Sequence, residues 1–155
     1  MEIRKATAKD IDRILDLLHQ VLDVHVNLRP DLFIPNRTKY TRDELQPMLE
    51  DEGSFIYVAV IDGYVVGSAF CKLIESQKRM MPMKTFYLDD LCVDKNYRRQ
   101  GIGETLFKHI IGAAKENGCY DVTLTAWPGN EPAMRFYEKM GFKVKCLSFE
   151  KILEN

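Results

Sequence analysis

Two glycines one residue apart, Gly101 and Gly103, stand behind Arg98, Arg99 and Gln100 and open an amphipathic run, "GETLFKHII". A glycine at the mouth of a helix costs chain entropy and buries nothing, so it serves where the backbone itself must come close to something. The first turn of a helix holds N–H groups without intrahelical acceptors and about half a positive charge. With no side chains in the way, those donors can close around an anion, and diphosphate is the common guest. Arg98 and Arg99 add charge and forked donors at the entrance. The spacing predicts a pyrophosphate seat of main-chain donors over 99–104, in which Gln100, Ile102 and Glu104 contribute backbone around the two glycines.

Other motifs fit this turn badly. A P-loop needs Gly-Lys-Ser/Thr at its end, but Gly103 is followed by Glu104 and Thr105. A dinucleotide turn asks for a third glycine where Leu106 stands, and no early strand–helix–strand unit precedes it. Two further clusters carry chemistry. "YLDDLCV" sets two carboxylates, Asp89 and Asp90, side by side on a strand. Successive strand side chains face opposite sides, so at most one of the two is expected to enter a given cleft. "NEPAMRFYEKMG" places Tyr137 on a short helix with Asn130 at its N-cap, Pro132 in its first turn and Gly141 past its end.

The elements around these clusters follow from period and punctuation. "EIRKA" reads as a first strand. Ile11, Ile14, Leu15, Leu18, Val21 and Leu22 make one apolar face of a first helix. Residues 27–40, with two prolines, read as a loop. Thr41 and Glu44 form a capping box for a second helix over about 42–51. Two β-rich runs flank Asp62-Gly63, the favoured hairpin turn. A loop over 75–83 leads to a fourth strand, "KTFYLDDLCVD". The helix from Gly101 carries Ile102, Leu106, Ile110 and Ala113 on one stripe and stops at Gly118. "DVTLTAW" is a fifth strand, and "FKVKCLSFEKIL" is expected to return as two more. The result is an α+β chain over 1–155, one domain, with a mostly antiparallel mixed sheet of seven strands flanked by four helices.

Bulk composition narrows the partners. The chain has 155 residues, with 22 Lys plus Arg against 23 Asp plus Glu, a formal net charge of −1. Nothing in that balance points to nucleic acid or an anionic membrane. No apolar run approaches a bilayer span and "MEIRKATAKD" lacks a signal-peptide core, so a cytoplasmic location is expected. Cys71, Cys92, Cys119 and Cys146 are widely spaced and read as buried free thiols. His19, His25 and His109 fall on helices, and no metal site is expected.

Arg98-Arg99-Gln100-Gly101-Ile102-Gly103 has the form Q/R-x-x-G-x-G/A. That is the acetyl-coenzyme A signature of the GNAT superfamily of N-acetyltransferases, which this chain resembles. "NEPAMRFYEKMGF" is similar to the family's N-x-x-A-x-x-F-Y-x-x-x-G-F ending, and the likeness is tight over about 87–142. The resemblance implies acetyl-coenzyme A as cofactor and direct acetyl transfer to a primary amine. It implies that the fourth strand splays from the fifth, so that the pantetheine arm pairs with the backbone of Leu91, Cys92 and Val93. Asn130 would cap its helix and bond that arm, Ala133 and Phe136 would line it, and Tyr137 would protonate the departing thiolate. Spermidine/spermine acetyltransferases of the superfamily carry Leu-Glu-Asp where this chain has Leu-Asp-Asp, which sets Asp89 at their acidic base candidate. Asp89, Asp90 and a water relay stay open as the base. The implied acceptor is a small molecule of polyamine, amino-sugar or amino-acid type; the alternatives are a protein N-terminus or lysine, or a coenzyme A-binding module without catalysis. An exposed edge strand near the C-terminus would suit a homodimer.

Overall fold

The hairpin around Asp62-Gly63 forms the middle of the sheet. In the computed structural model, which describes residues 1–154, β2 (Ser54–Ile61) and β3 (Tyr64–Glu75) run antiparallel. Asp62 and Gly63 take φ of 51° and 78°. Two successive left-handed residues give the turn whose twist matches that of its strands. β1 (Glu2–Lys5) pairs antiparallel with β2, and β4 (Lys84–Val93) antiparallel with β3. β5 (Asp121–Leu124) joins β4 in parallel, giving the order β1-β2-β3-β4-β5. These strands, with α1 (Ile11–Leu28), α2 (Arg42–Met48) and α3 (Ile102–Glu116), lie in a compact unit spanning Met1–Thr125. A second unit starts at Ala126 and carries α4 (Glu131–Lys139).

The sheet is mixed and mostly antiparallel, as expected, but it has five strands and not seven. Residues 142–154 contain no strand. Their apolar side chains Val144, Leu147, Phe149, Ile152 and Leu153 are exposed by 69–87%. Strand propensity in "FKVKCLSFEKIL" is not enough alone, because a strand exists only once its edge has a partner. The cysteines are free, but only Cys71 and Cys92 are buried; Cys119 is half-buried and Cys146 exposed. Among the described residues no helix is long and apolar enough to cross a membrane.

The strand alternation divides the core between two faces. Ile11, Ile14, Leu17 and Leu18 of α1 and Leu45 of α2 pack with Ile56, Val58, Val60, Val65, Phe70 and Cys92. Each such fully buried aliphatic side chain is worth about 1.5–3 kcal/mol. Gly67 lies three residues from Phe70 and so faces the opposite side. There α3 presses Ile102, Leu106 and Ile110 against the sheet, all at or below 2% exposure. A Cβ on Gly67 would stand 3.1 Å from the Cys92 carbonyl oxygen and 3.1 Å from the Leu106 side chain. Glycine here sets the depth at which the first turns of α3 meet β3 and β4.

Two irregularities in β4 shape the site. Phe70 opposes Asp90 and Cys71 opposes Leu88, so Asp89 is the extra residue of a β-bulge. On its other edge β4 pairs with β5 only from Thr85 to Leu88. Beyond that point the fourth strand has no partner in the fifth.

Gly67→Ala is expected to lower unfolding free energy by about 1–3 kcal/mol through overpacking. Gly112→Ala, in mid-α3 where a Cβ meets nothing within 4 Å, should raise it by about 0.5–1 kcal/mol. Urea titrations of the two variants against the parent read both signs.

Candidate active site

Asp94 anchors the passage from β4 into the glycine turn. Its carboxylate is 3% exposed as a residue. It accepts from the Asn96 N–H at 2.8 Å, from Gln20 Nε2 at 3.3 Å and from the Arg13 guanidinium, while its own N–H donates to Val66 on β3 at 2.8 Å. Burial alone would raise its proton affinity, but Asn96, Arg13 and Gln20 outweigh that and hold it below the usual carboxylate range. A short 3-10 turn, Lys95–Tyr97, follows. Then Arg99 adopts φ of 63°, left-handed for a residue with a Cβ, and Gly101 φ of 76° at the N-cap of α3.

Gly101 offers no capping side chain, and a Cβ placed on it would meet nothing within 4 Å. Glycine suits the left-handed φ there, and a side chain at this position would point into open space. Arg98, Arg99 and Gln100 are exposed around it, Gly103 is half-buried and Ile102 is the buried residue that pins the turn to the core. Thr105 Oγ1 donates to the Gly101 carbonyl at 2.9 Å, and the Thr105 N–H at 3.0 Å. The carbonyl is thereby occupied, while the first N–H groups of α3 have no acceptor within the helix, the kind of donor set that suits an anion.

The open edge of β4 leads away from this turn. Backbone polar groups alternate sides along a strand. Because the Asp94 N–H donates to Val66 on β3, those of Val93 and Leu91 face the edge where β5 has already ended. Arg98 Nε donates to the Val93 carbonyl at 3.1 Å. Cys92 is the Cα partner of Ser68 in the β3 ladder, so its main chain faces inward. Its thiol approaches the Leu17 carbonyl at 3.5 Å, and burial pushes it up to about 12.

The bulge changes the relation of the two carboxylates. Asp89 meets Tyr40, which packs against the α1–α2 side of the core. Asp90 opposes Phe70, a member of that same core. The slip of register therefore turns both carboxylates to one side, against the expectation that neighbours on a strand face apart. Their environments differ sharply. Asp89 is held by the Tyr40 hydroxyl, by Lys39 Nζ at 2.9 Å and by Lys72 Nζ at 3.8 Å. Burial would raise it, yet Tyr40, Lys39 and Lys72 overcome burial and keep it ionised below the usual range. Asp90 Oδ2 is sealed from solvent with no hydrogen-bond partner. Burial first, and then the charge of Asp89, push Asp90 up to about 6, although Lys39 pulls the other way. Ser68 Oγ, on the same side of β3, is likewise buried without a partner.

The remaining expected residues lie on α4, in the second unit. Asn130 caps that helix, its side chain accepting from the Ala133 N–H at 3.4 Å. Ala133, Phe136 and Tyr137 follow at three- and four-residue spacing, on one face. The half-buried Tyr137 ring packs edge-on between Phe136 and Phe142, at 5.6 and 5.7 Å between centroids. The Phe142 N–H returns to the Tyr137 carbonyl at 3.0 Å, and Gly141 with φ of 90° closes the helix.

A glycine turn opening a helix beside an unpaired strand edge matches a known family. The model of the acetyltransferase (GNAT) family matches residues 22–142, and the chain belongs to that family. N-alpha-acetyltransferase 30 of Homo sapiens is 37% identical over 86 residues, which make up 56% of this chain and 23% of that protein. The chain thus spans about a quarter of the length of that relative. The BH1408 protein of Bacillus halodurans, solved as a four-site mutant, is 31% identical with a TM-score of 0.94, covering 99% of this chain and 100% of that one. An aminoglycoside acetyltransferase from an uncultured soil metagenomic sample, solved with trehalose, shares the fold at 22% identity and a TM-score of 0.75, over 99% and 96% of the two chains.

Sequence reasoning missed Lys39, Tyr40, Lys72 and Asp94. The first two sit in a stretch without period and Lys72 on an ordinary strand, so no local signal marks them. The bulge was equally hidden, because "YLDDLCV" alternates no worse than its neighbours. It has a measurable consequence at Asp90. A carboxyl with a raised native pKa binds more protons folded than unfolded, so its ionisation removes stability as pH rises from about 4 to about 6. Asp90→Asn should stabilise the protein at pH 8 by on the order of 2 kcal/mol and by little at pH 4. Chemical unfolding at the two pH values checks both the size and the direction.

Proposed function

We propose that the chain is an acetyl-coenzyme A-dependent N-acetyltransferase acting on a primary amine of a small molecule. The observation that carries this reading is the left-handed glycine N-cap of α3, with open space at Gly101, following a β4 whose pairing with β5 ends at Leu88. Arg98 to Glu104 would hold the diphosphate, and Leu91 and Val93 the amide-rich arm. Acetyl-coenzyme A supplies the acetyl thioester when bound.

The amine arrives mostly as ammonium, since its pKa is near ~10. Asp90 would take that proton, and the freed nitrogen would bond to the acetyl carbon as the carbon–sulfur bond breaks, shedding its second proton to water. Tyr137 would give its hydroxyl proton to the departing sulfur and regain one from water, and Asp90 would release its own to water, so that one proton leaves per acetyl group transferred. Asp89, ion-paired and low in proton affinity, serves the site through its charge. Two lysines offset Asp89, so the local field is poor for a polycation, which favours amino-acid or amino-sugar acceptors over polyamines. A second reading, a polypeptide α-amine as acceptor, draws on the name of the human relative. The exposed apolar residues between Val144 and Leu153, patterned for a strand, support a homodimer, in which a second copy covers them.

Calorimetry with acetyl-coenzyme A, followed by thiol release over a panel of amino acids, amino sugars, polyamines and short peptides, tests the proposal. Submillimolar binding and turnover of at least one amine are expected. Gly101→Val should abolish binding, and Tyr137→Phe should keep it while kcat falls about 100-fold or more. Binding without turnover of any amine would point to the non-catalytic alternative, and no binding would end both.

A further inference from the structure

Two neighbouring carboxylates on one side of a strand need something to decide which of them stays ionised. The α1–α2 connection supplies it. Lys39 Nζ reaches both the Asp89 carbonyl, at 2.8 Å, and its carboxylate, at 2.9 Å. It therefore satisfies the main chain of the bulge residue, which has no partner across the ladder, as well as its charge. Tyr40 donates its hydroxyl to Asp89 Oδ2 and accepts from Lys72 Nζ at 3.0 Å. Its ring stacks on Phe70 at 5.5 Å between centroids. Phe70 is the β3 residue opposite Asp90. One loop thus grips the first carboxylate and, through Phe70, presses on the strand position facing the second.

We propose that Lys39 and Tyr40 are positioning residues: by clamping Asp89 on the bulge they leave Asp90 as the carboxylate that takes the acceptor's proton. The proposal rests on acetyl transfer as the reaction, with Asp90 as its base. The charges acting on Asp90 are Lys39 from the loop and Asp89 from its own strand, with the Leu91 backbone contributing a hydrogen bond. Lys72 of β3 acts on Asp89. The thiols nearby, Cys71 and Cys92, are pushed up to about 12, and Tyr40 is raised by burial and by Asp89, so all three are neutral where Asp90 titrates. The two cations also explain how a pair of adjacent acids survives beneath a sheet face: Asp89 keeps its charge because it is paired, and its charge then makes Asp90 reluctant to ionise.

The test is a carboxyl carbon NMR titration of Asp89 and Asp90 in the full chain, read beside the pH profile of kcat/KM for the best amine. Lys39 is about half exposed, so Lys39→Met should fold. Without the cation, Asp90 should titrate higher by about half a pH unit or more, and the acid limb of kcat/KM should move with it. Lys39→Arg should restore both. Tyr40→Phe, which keeps the ring on Phe70, should raise the titration of Asp89. The proposal is overturned if Asp90 titrates unchanged in Lys39→Met, or if Asp89 titrates above Asp90 in the parent protein. A chain that acetylates no amine overturns the reaction on which the proposal rests, while the two midpoints still show whether the clamp orders the carboxylates.

Discussion

Arg13 and Gln20 reach from α1 and Asn96 from the turn to a single buried carboxylate, Asp94, whose own N–H donates to Val66 on β3. Removing its charge would take from the Arg13 guanidinium its buried counter-charge and from the Gln20 and Asn96 donors their acceptor, in a nearly dry place where such losses are costly. Because those donors belong to different elements, the carboxylate also fixes their mutual register. Everything after β4 starts from that point: the 3-10 turn, the left-handed Arg99, the glycine N-cap and the direction of α3. Gly67 completes the arrangement from below by letting Ile102 and Leu106 settle close to the sheet. A glycine turn can present its donors only if the helix behind it cannot shift, and these two residues hold it.

The acid pair shows how far one inserted residue can alter chemistry. On a regular strand Asp89 and Asp90 would face apart, one toward each layer, and would hardly interact. The bulge brings both into one low-dielectric setting, where only one can be cheaply ionised. Lysine and tyrosine contacts assign the charge to Asp89. Asp90 keeps an unpartnered oxygen, and burial beside Asp89 pushes it up to about 6, so it holds its proton more readily than an ordinary carboxylate. The stability lost by burying Asp90 is the counterpart of that readiness.

Much of the frame was legible in the residues because local rules govern it. Asp62-Gly63 dictates its hairpin, Thr41 and Glu44 their capping box, and Ile102, Leu106, Ile110 and Ala113 the buried stripe of α3. The glycine turn was legible for the same reason, since helix starts are written in sequence. What could not be read depends on partners distant in the chain. The bulge arises from the fit of β4 to β3, and Tyr40 finds Asp89 across a separation of 49 positions in the chain. The two final strands were misjudged because propensity was taken as pairing. Residues 142–154 have the first without the second.

The strand order of the sheet is the order of the chain, β1 to β5. As the polypeptide leaves the ribosome, each new strand therefore meets an edge that has already been laid down, and no earlier strand has to be parted to admit a later one. The antiparallel portion is complete before α3 and β5 are made, and the one parallel pairing, which must wait for a helical crossover, comes last. Synthesis of the chain can follow the architecture step by step, with β5 arriving last to cover only the first half of the β4 edge and leave the rest open.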